Sequence, residues 1–174
     1  IVLEEGDGQN AVVVKQAEEL TITAPAAITV QLPAFAGREV FVKHEAESGV
    51  YFYKATAGGD GTLTFTSRHG FSPFTFSLNN EAAAEIGGVG YDTLQAAVNA
   101  AGEGSTITIL SGGTAEELTA SVSGSSRTFT LVNNTGEAIT VTLNGTELTI
   151  AAGESQAYTY TRPTGTLGAF EDVV

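Results

Sequence analysis

Gly90-Tyr91-Asp92-Thr93-Leu94-Gln95-Ala96-Ala97-Val98-Asn99-Ala100-Ala101-Gly102 is the one clear helix in a chain otherwise written in strands. Asp92 reads as its N-cap, Gln95 as the far half of a capping box, and Tyr91 as a staple onto Ala96. Leu94, Ala97, Val98 and Ala101 recur at i, i+3, i+4 and i+7, which gives the helix one apolar face. Gly102 supplies a C′ stop. A β-type run, Ser105-Thr106-Ile107-Thr108-Ile109-Leu110, follows at once. The helix therefore divides the chain into two β-rich parts.

Upstream, short strands are separated by turn signals every 8–12 residues or so, the rhythm of a β-sandwich. Ala11–Val14 and Leu20–Thr23 are early strands, and Ile28, Val30 and Leu32 alternate on one face before Pro33 interrupts. Val40-Phe41-Val42-Lys43-His44 pairs with Val50-Tyr51-Phe52-Tyr53-Lys54 across the Glu45–Gly49 turn. Gly58-Gly59-Asp60-Gly61 turns the chain into Thr62–Thr66, and Phe71–Leu78 closes the set with Phe74, Phe76 and Leu78 on one face. Residues 79–90, rich in Ala, Glu and Gly, form a junction with its boundary at Gly87-Gly88. Downstream, strands are expected at 127–132, 138–143, 147–151 and 156–161. Asn144-Gly145 is a strong hairpin signal. The fold class is thus mainly β: two small β-sandwich-like domains, 1–86 and 87–163, the second opened by one short α-helix over 92–101, with 164–174 as linker or tail.

Composition narrows the function. Cys, Met and Trp are absent, which removes disulfides, Cys-ligated zinc and a cysteine nucleophile. Starting at Ile1 and lacking Met, the chain reads as a processed or excised piece, and it shows neither a signal-peptide pattern nor an apolar run of the roughly 20 residues a bilayer requires. The net charge is −13, with 11 acids and 5 bases over 1–86 and 9 acids and 2 bases over 87–174. Both halves repel phosphate, so no nucleic-acid partner and no membrane insertion are expected, and anionic lipid surfaces are disfavoured.

Two stretches resemble modules of large multidomain surface proteins of Gram-positive bacteria. Val40 to Leu78, with Val-Phe-Val-Lys-His, Tyr-Phe-Tyr and Arg68-His69-Gly70-Phe71-Ser72-Pro73-Phe74, is similar to small Ig-like modules that end in a His-Gly-Phe-Ser-x-Phe strand. Tyr91-Asp92-Thr93-Leu94-Gln95-Ala96-Ala97 through Gly104–Leu110 resembles the opening of right-handed parallel β-helix modules, where a helix caps the coil and the next strand is its first rung. A β-helix needs a repeat of at least about 20 residues and three or more rungs. No such repeat is visible after Ile109, and the Asn-Gly hairpin is an antiparallel device, so an antiparallel sandwich is expected here. The resemblance implies extracellular localisation, on the cell surface or wall. It implies as partners neighbouring domains of a larger protein and host or bacterial glycans or proteins. Some such sandwiches carry a lysine–asparagine isopeptide bond, for which Lys43 is the candidate provided it faces inward.

No reactive centre is legible. His44 and His69 are the chain's two histidines, 25 residues apart, without metal-ligand spacing, and read as structural or solvent-facing. Ser72 in Gly70-Phe71-Ser72-Pro73-Phe74 superficially resembles a nucleophile elbow, but Phe74 stands where glycine is needed and no helix follows. The carboxylate groups Glu4-Glu5-x-Asp7, Glu18-Glu19, Glu45-x-Glu47, Glu116-Glu117 and Glu171-Asp172 read as solvated. The first offers oxygen to calcium without an EF-type loop. Asn133-Asn134-Thr135 and Asn144-Gly145-Thr146 match glycosylation sequons. Tyr51 with Tyr53, and Tyr158 with Tyr160, share strand faces and are the candidate ligand-binding residues, as a sugar platform.

The expectation is a non-catalytic structural or adhesive module of a bacterial surface or secreted protein. It needs no cofactor and has no catalytic or metal-binding residues. The alternatives are a carbohydrate-binding module using those tyrosines and a fragment of a β-helix polysaccharide-degrading enzyme.

Overall fold

Val40, Val42 and His44 alternate with Phe41, Lys43 and Glu45, and this period of two puts the first set in a core and the second on the opposite sheet face. The computed structural model describes residues 2–5, 12–15, 25–111, 116–122 and 124–162. Among the described residues the chain is mainly β, with one short α-helix and several sheets. Its contacts divide it into two units, Ile1–Ala97 and Val98–Val174.

The first unit contains β1 (Val2–Glu5), β2 (Val12–Lys15), β3 (Ala26–Gln31), β4 (Glu39–Ala46), β5 (Gly49–Thr56), β6 (Thr62–Ser67), β7 (Phe74–Ser77), β8 (Ala84–Ile86) and β9 (Val89–Tyr91). The larger sheet runs β1-β2-β7-β4-β5-β9-β8 and the smaller pairs β3 with β6. Val40, Val42, Tyr53, Phe74 and Phe76 from the first meet Leu63 and Phe65 from the second in one core, with Ile28 and Val30 packed against it. The expected Leu20–Thr23 strand lies outside the described residues. Residues 79–90, read as a junction, instead contribute β8 and β9, and β9 pairs with β5. Gly87 and Gly88 have φ of 56° and 82° and make the two-residue turn between them, a backbone conformation glycine adopts without strain.

Gly90 is needed for a different reason. A Cβ there would lie 2.8 Å from Ala82 Cβ and 2.9 Å from Phe52 Cβ, so β5, β9 and the 79–83 segment approach one another too closely for any side chain. Gly90→Ala is expected to destabilise the first unit by about 1–3 kcal/mol through overpacking. A thermal midpoint equal to that of the unsubstituted chain would contradict this.

Helix α1 (Leu94–Ala100) starts later than its sequence pattern promised. Thr93, not Asp92, is the N-cap: its Oγ1 accepts the Ala96 N–H at 3.1 Å, and its carbonyl accepts the Ala97 N–H at 3.3 Å. Asp92 is exposed one position too early to reach the first free amides. The C-terminus is closed by a residue outside the helix. Arg127 donates to Ala101 O at 2.8 Å and Val98 O at 3.1 Å, placing its charge where the last carbonyls concentrate negative potential.

The second unit holds β10 (Ser105–Ile109), β11 (Glu116–Leu118), β12 (Ser126–Asn133), β13 (Ile139–Leu143), β14 (Thr146–Ile150) and β15 (Ser155–Thr161). The antiparallel expectation needs correcting here. β10 pairs parallel with β12, Ser105 beside Phe129, and β11 pairs parallel with β13, Glu116 beside Val141. The offsets, 24 and 25 residues, describe one full turn of a parallel coil with two rungs. After that turn antiparallel strands close both sheets, β15 against β12 and β14 against β13. Ile107, Ile109, Phe129, Leu131 and Tyr158 on one sheet and Leu118, Ile139, Val141, Leu143 and Ile150 on the other are buried. The Asn144-Gly145 turn has φ of 47° and 79°, both positive, as a two-residue hairpin of this handedness requires.

Candidate functional site

His44 is fully buried at the inward position of β4, opposite Tyr51 on β5 and Phe74 on β7. Its ring stacks on Phe74 with centroids 4.4 Å apart. A buried imidazole needs partners for both nitrogens, and the loop between β6 and β7 brings them. Ser67 Oγ donates to Gly70 O at 2.8 Å, folding the loop so that His69 lies flat on Tyr51, centroids 3.5 Å apart and planes within 2°. Ser72 then faces His44 Nε2, with Oγ at 2.8 Å and its backbone N at 3.4 Å.

These contacts settle the proton positions. A backbone N–H can only donate, so His44 Nε2 is the bare acceptor and the ring proton sits on Nδ1. Nδ1–H points at Tyr53 Oη, a long contact of 3.4 Å. Tyr53 Oη also accepts the Arg68 N–H at 3.3 Å, so its own proton goes to His69 Nδ1 at 2.9 Å. The result is a one-directional chain: Ser72 donates to His44, His44 to Tyr53, and Tyr53 to His69.

Burial, reinforced by the nearby His69, lowers the His44 pKa from 6.5 to about 4. Burial and then the Arg68 charge lower that of His69. Burial raises that of Tyr53, against hydrogen bonds that favour the phenolate. All three are therefore neutral at pH 7. Ser72 and His44 form the hydroxyl–imidazole contact of a hydrolase, but the imidazole is a weak base and its far side meets a phenol rather than a carboxylate. What the chain accomplishes chemically is to fasten the β6–β7 loop to β4 and β5.

In the sequence His44 and His69 read as structural or solvent-facing and Ser72 as a strand residue that is no nucleophile; the fold joins all three through hydrogen bonds that include Tyr53. Of the tyrosines singled out, Tyr53 and Tyr158 are buried and Tyr51 and Tyr160 half-buried. Tyr51 covers one ring face with His69, and Tyr158 donates to Leu143 O at 3.2 Å. Tyr51 and Tyr53 belong to the first unit, and Tyr158 and Tyr160 to the second.

Other candidates resolve individually. Lys43 faces away from the core and pairs with Glu45 at 2.9 Å, so the condition for a buried isopeptide bond is not met. Asn133 of the first sequon is fully buried, and its amide donates to Glu137 O at 2.8 Å and Ile150 O at 2.9 Å. Asn144 of the second donates to Ala120 O at 3.0 Å. The side chains of Glu4-Glu5-x-Asp7, Glu18-Glu19 and Glu171-Asp172 lie outside the described part of the chain. Among the described residues no three His, Cys, Asp or Glu side chains stand together as metal ligands, and no helix is long and apolar enough to cross a membrane. Compared with known proteins, the chain matches no family model, no curated protein and no solved structure.

Proposed function

We propose that this chain is a non-catalytic structural and adhesive module of a bacterial cell-surface or secreted protein, joined to neighbouring domains of a larger polypeptide. The observation that carries the reading is the use made of the reactive side chains. Ser72, His44, Tyr53 and His69 are hydrogen-bonded to one another in a brace between strands, with His44 fully buried and weakly basic. Cross-strand threonine pairs support it: Thr29 with Thr64, Thr128 with Thr159 and Thr140 with Thr149 bond hydroxyl to hydroxyl at 2.9–3.1 Å along strand faces. The resemblance of residues 40–78 and 91–110 to surface-protein modules supplies the habitat.

Two measurements test this. A fluorophosphonate probe, which labels activated serines, is expected to leave Ser72 unmodified; labelling that disappears in Ser72→Ala would refute the non-catalytic role. Antibodies to the chain are expected to stain intact cells of the organism that makes it, and staining confined to lysed cells would refute the surface location.

A second reading, a fragment of a β-helix polysaccharide-degrading enzyme, is favoured by the parallel pairs β10–β12 and β11–β13. Closure of both sheets by antiparallel strands after one turn weighs against it. Release of reducing ends from polysaccharide by this chain would revive it.

A further inference from the structure

The sheet face turned away from the first unit's core carries a shallow depression of about 150 Å³ that none of the chemistry above uses. Its position follows from register. Phe41 pairs with Ser77 across β4–β7, and Lys43 pairs with Thr75 on one side and Phe52 on the other, so these five side chains share one face of three adjacent strands. Phe41 and Phe52 form an aromatic floor, with Phe41 half-exposed. Asn79 and Glu81 make the rim from the segment following β7. That segment is tied to the sheet by the Asn79 N–H donating to Ser77 Oγ at 3.0 Å and the Ala83 N–H donating to Tyr91 O at 2.8 Å.

The lining selects a ligand class. An apolar ligand would strip water from the Glu81 carboxylate, the Asn79 amide and the Thr75 hydroxyl without replacing its hydrogen bonds, and a small ion would gain nothing from the phenyl floor. A ring with a C–H face and a hydroxyl edge uses both. Its hydroxyls donate and accept at once, as a rim of Lys43 (donor), Glu81 (acceptor), and Asn79, Thr75 and Ser77 (both) requires. The volume, well below the roughly 300–1,000 Å³ of drug-sized sites, admits one such ring. Lys43 is already neutralised by Glu45 at 2.9 Å, so Glu81 leaves the depression negative and sulfated or uronic sugars are repelled. We propose that the Phe41–Lys43–Ser77–Glu81 depression is a subsite for one neutral hexose, separate from the tyrosine pairs. This goes beyond the module's structural role, which stands without it.

The test is an NMR titration of the isotope-labelled full chain with methyl glucoside, methyl galactoside and methyl mannoside, and with glucuronate as the anionic control. Saturable shifts are expected at the amides of residues 41–43, 75–77 and 79–81 for at least one neutral glycoside. The dissociation constant should be on the order of millimolar, as suits a shallow one-ring site. Phe41→Ala, outside the core, and Glu81→Ala, exposed on the rim, should each weaken binding by about tenfold. No saturable shift with any neutral glycoside, shifts centred elsewhere, or glucuronate binding as tightly would overturn the proposal. None of these outcomes bears on the surface-staining test.

Discussion

Acidification from pH 7 to pH 4 is expected to remove about 3 kcal/mol of stability from the first unit through His44 alone. The unfolded histidine titrates at 6.5, whereas the folded one is held at about 4 because burial, and then His69, disfavours its charged form. Between those values the unfolded chain carries a proton that the folded chain refuses. Stability is therefore complete above pH 6.5, declines as pH falls toward 4, and levels off below it. The effect of His69 has the same sign. Protonation also has a structural consequence: Nε2–H can no longer accept from Ser72, so the β6–β7 loop loses its anchor. For a unit of this size the loss corresponds to a melting point lower by about 10–25 °C. Urea unfolding followed at the β4 and β5 amides should show the slope between pH 7 and 5. His44→Gln, which cannot titrate, should be less stable at pH 7 and should keep only the shallower slope that His69 contributes across that interval. Equal slopes for both proteins would refute the assignment.

The second large effect is expected at Asn133, in the other unit. Its side chain is fully buried and all four of its hydrogen-bonding positions are filled. Nδ2 donates to Glu137 O and Ile150 O, and Oδ1 accepts from Thr135 N at 2.9 Å and Thr135 Oγ1 at 2.6 Å. The amide ties the end of β12 to the turn before β13 and to the end of β14. Asn133→Asp keeps the shape but turns two donors into an acceptor facing two carbonyls. A buried carboxylate so placed should destabilise the second unit by about 3 kcal/mol or more at pH 7. Asn133→Ala should lose about 2–3 kcal/mol, since two carbonyls go unpaired without any charge. The aspartate variant should recover part of its deficit on acidification, as the neutral acid supplies one O–H; this is opposite in sign to the His44 effect. A loss below about 1 kcal/mol in the aspartate variant would show that water reaches the site.

Much of the fold was written locally. The period of two in Ile28–Leu32 and Phe74–Leu78 grouped the residues that meet in the core, and Asn144-Gly145 specified its hairpin, because each signal lies within a few covalently neighbouring residues. The inward position of His44, beside Val40 and Val42, was settled by the structure. So were its partners: Tyr53 arrives by strand pairing, and Ser72 and His69 by the fold of a loop. The sequence carried no mark joining positions 44, 53, 69 and 72. Asn133 posed as a glycosylation sequon because burial is not encoded in a triplet.

What the sequence alone determined was the class of fold, the strand faces, the strongly acidic charge and the absence of thiol chemistry, all of which follow from composition and short-range alternation. Tertiary structure decided the direction of pairing in the second unit, where strands 24 and 25 residues apart lie parallel. A single coil has one interval and so leaves no periodicity to detect. It also decided which polar groups met, since a hydrogen bond between distant residues is selected by the geometry of the closed core and not by anything either residue's neighbours announce.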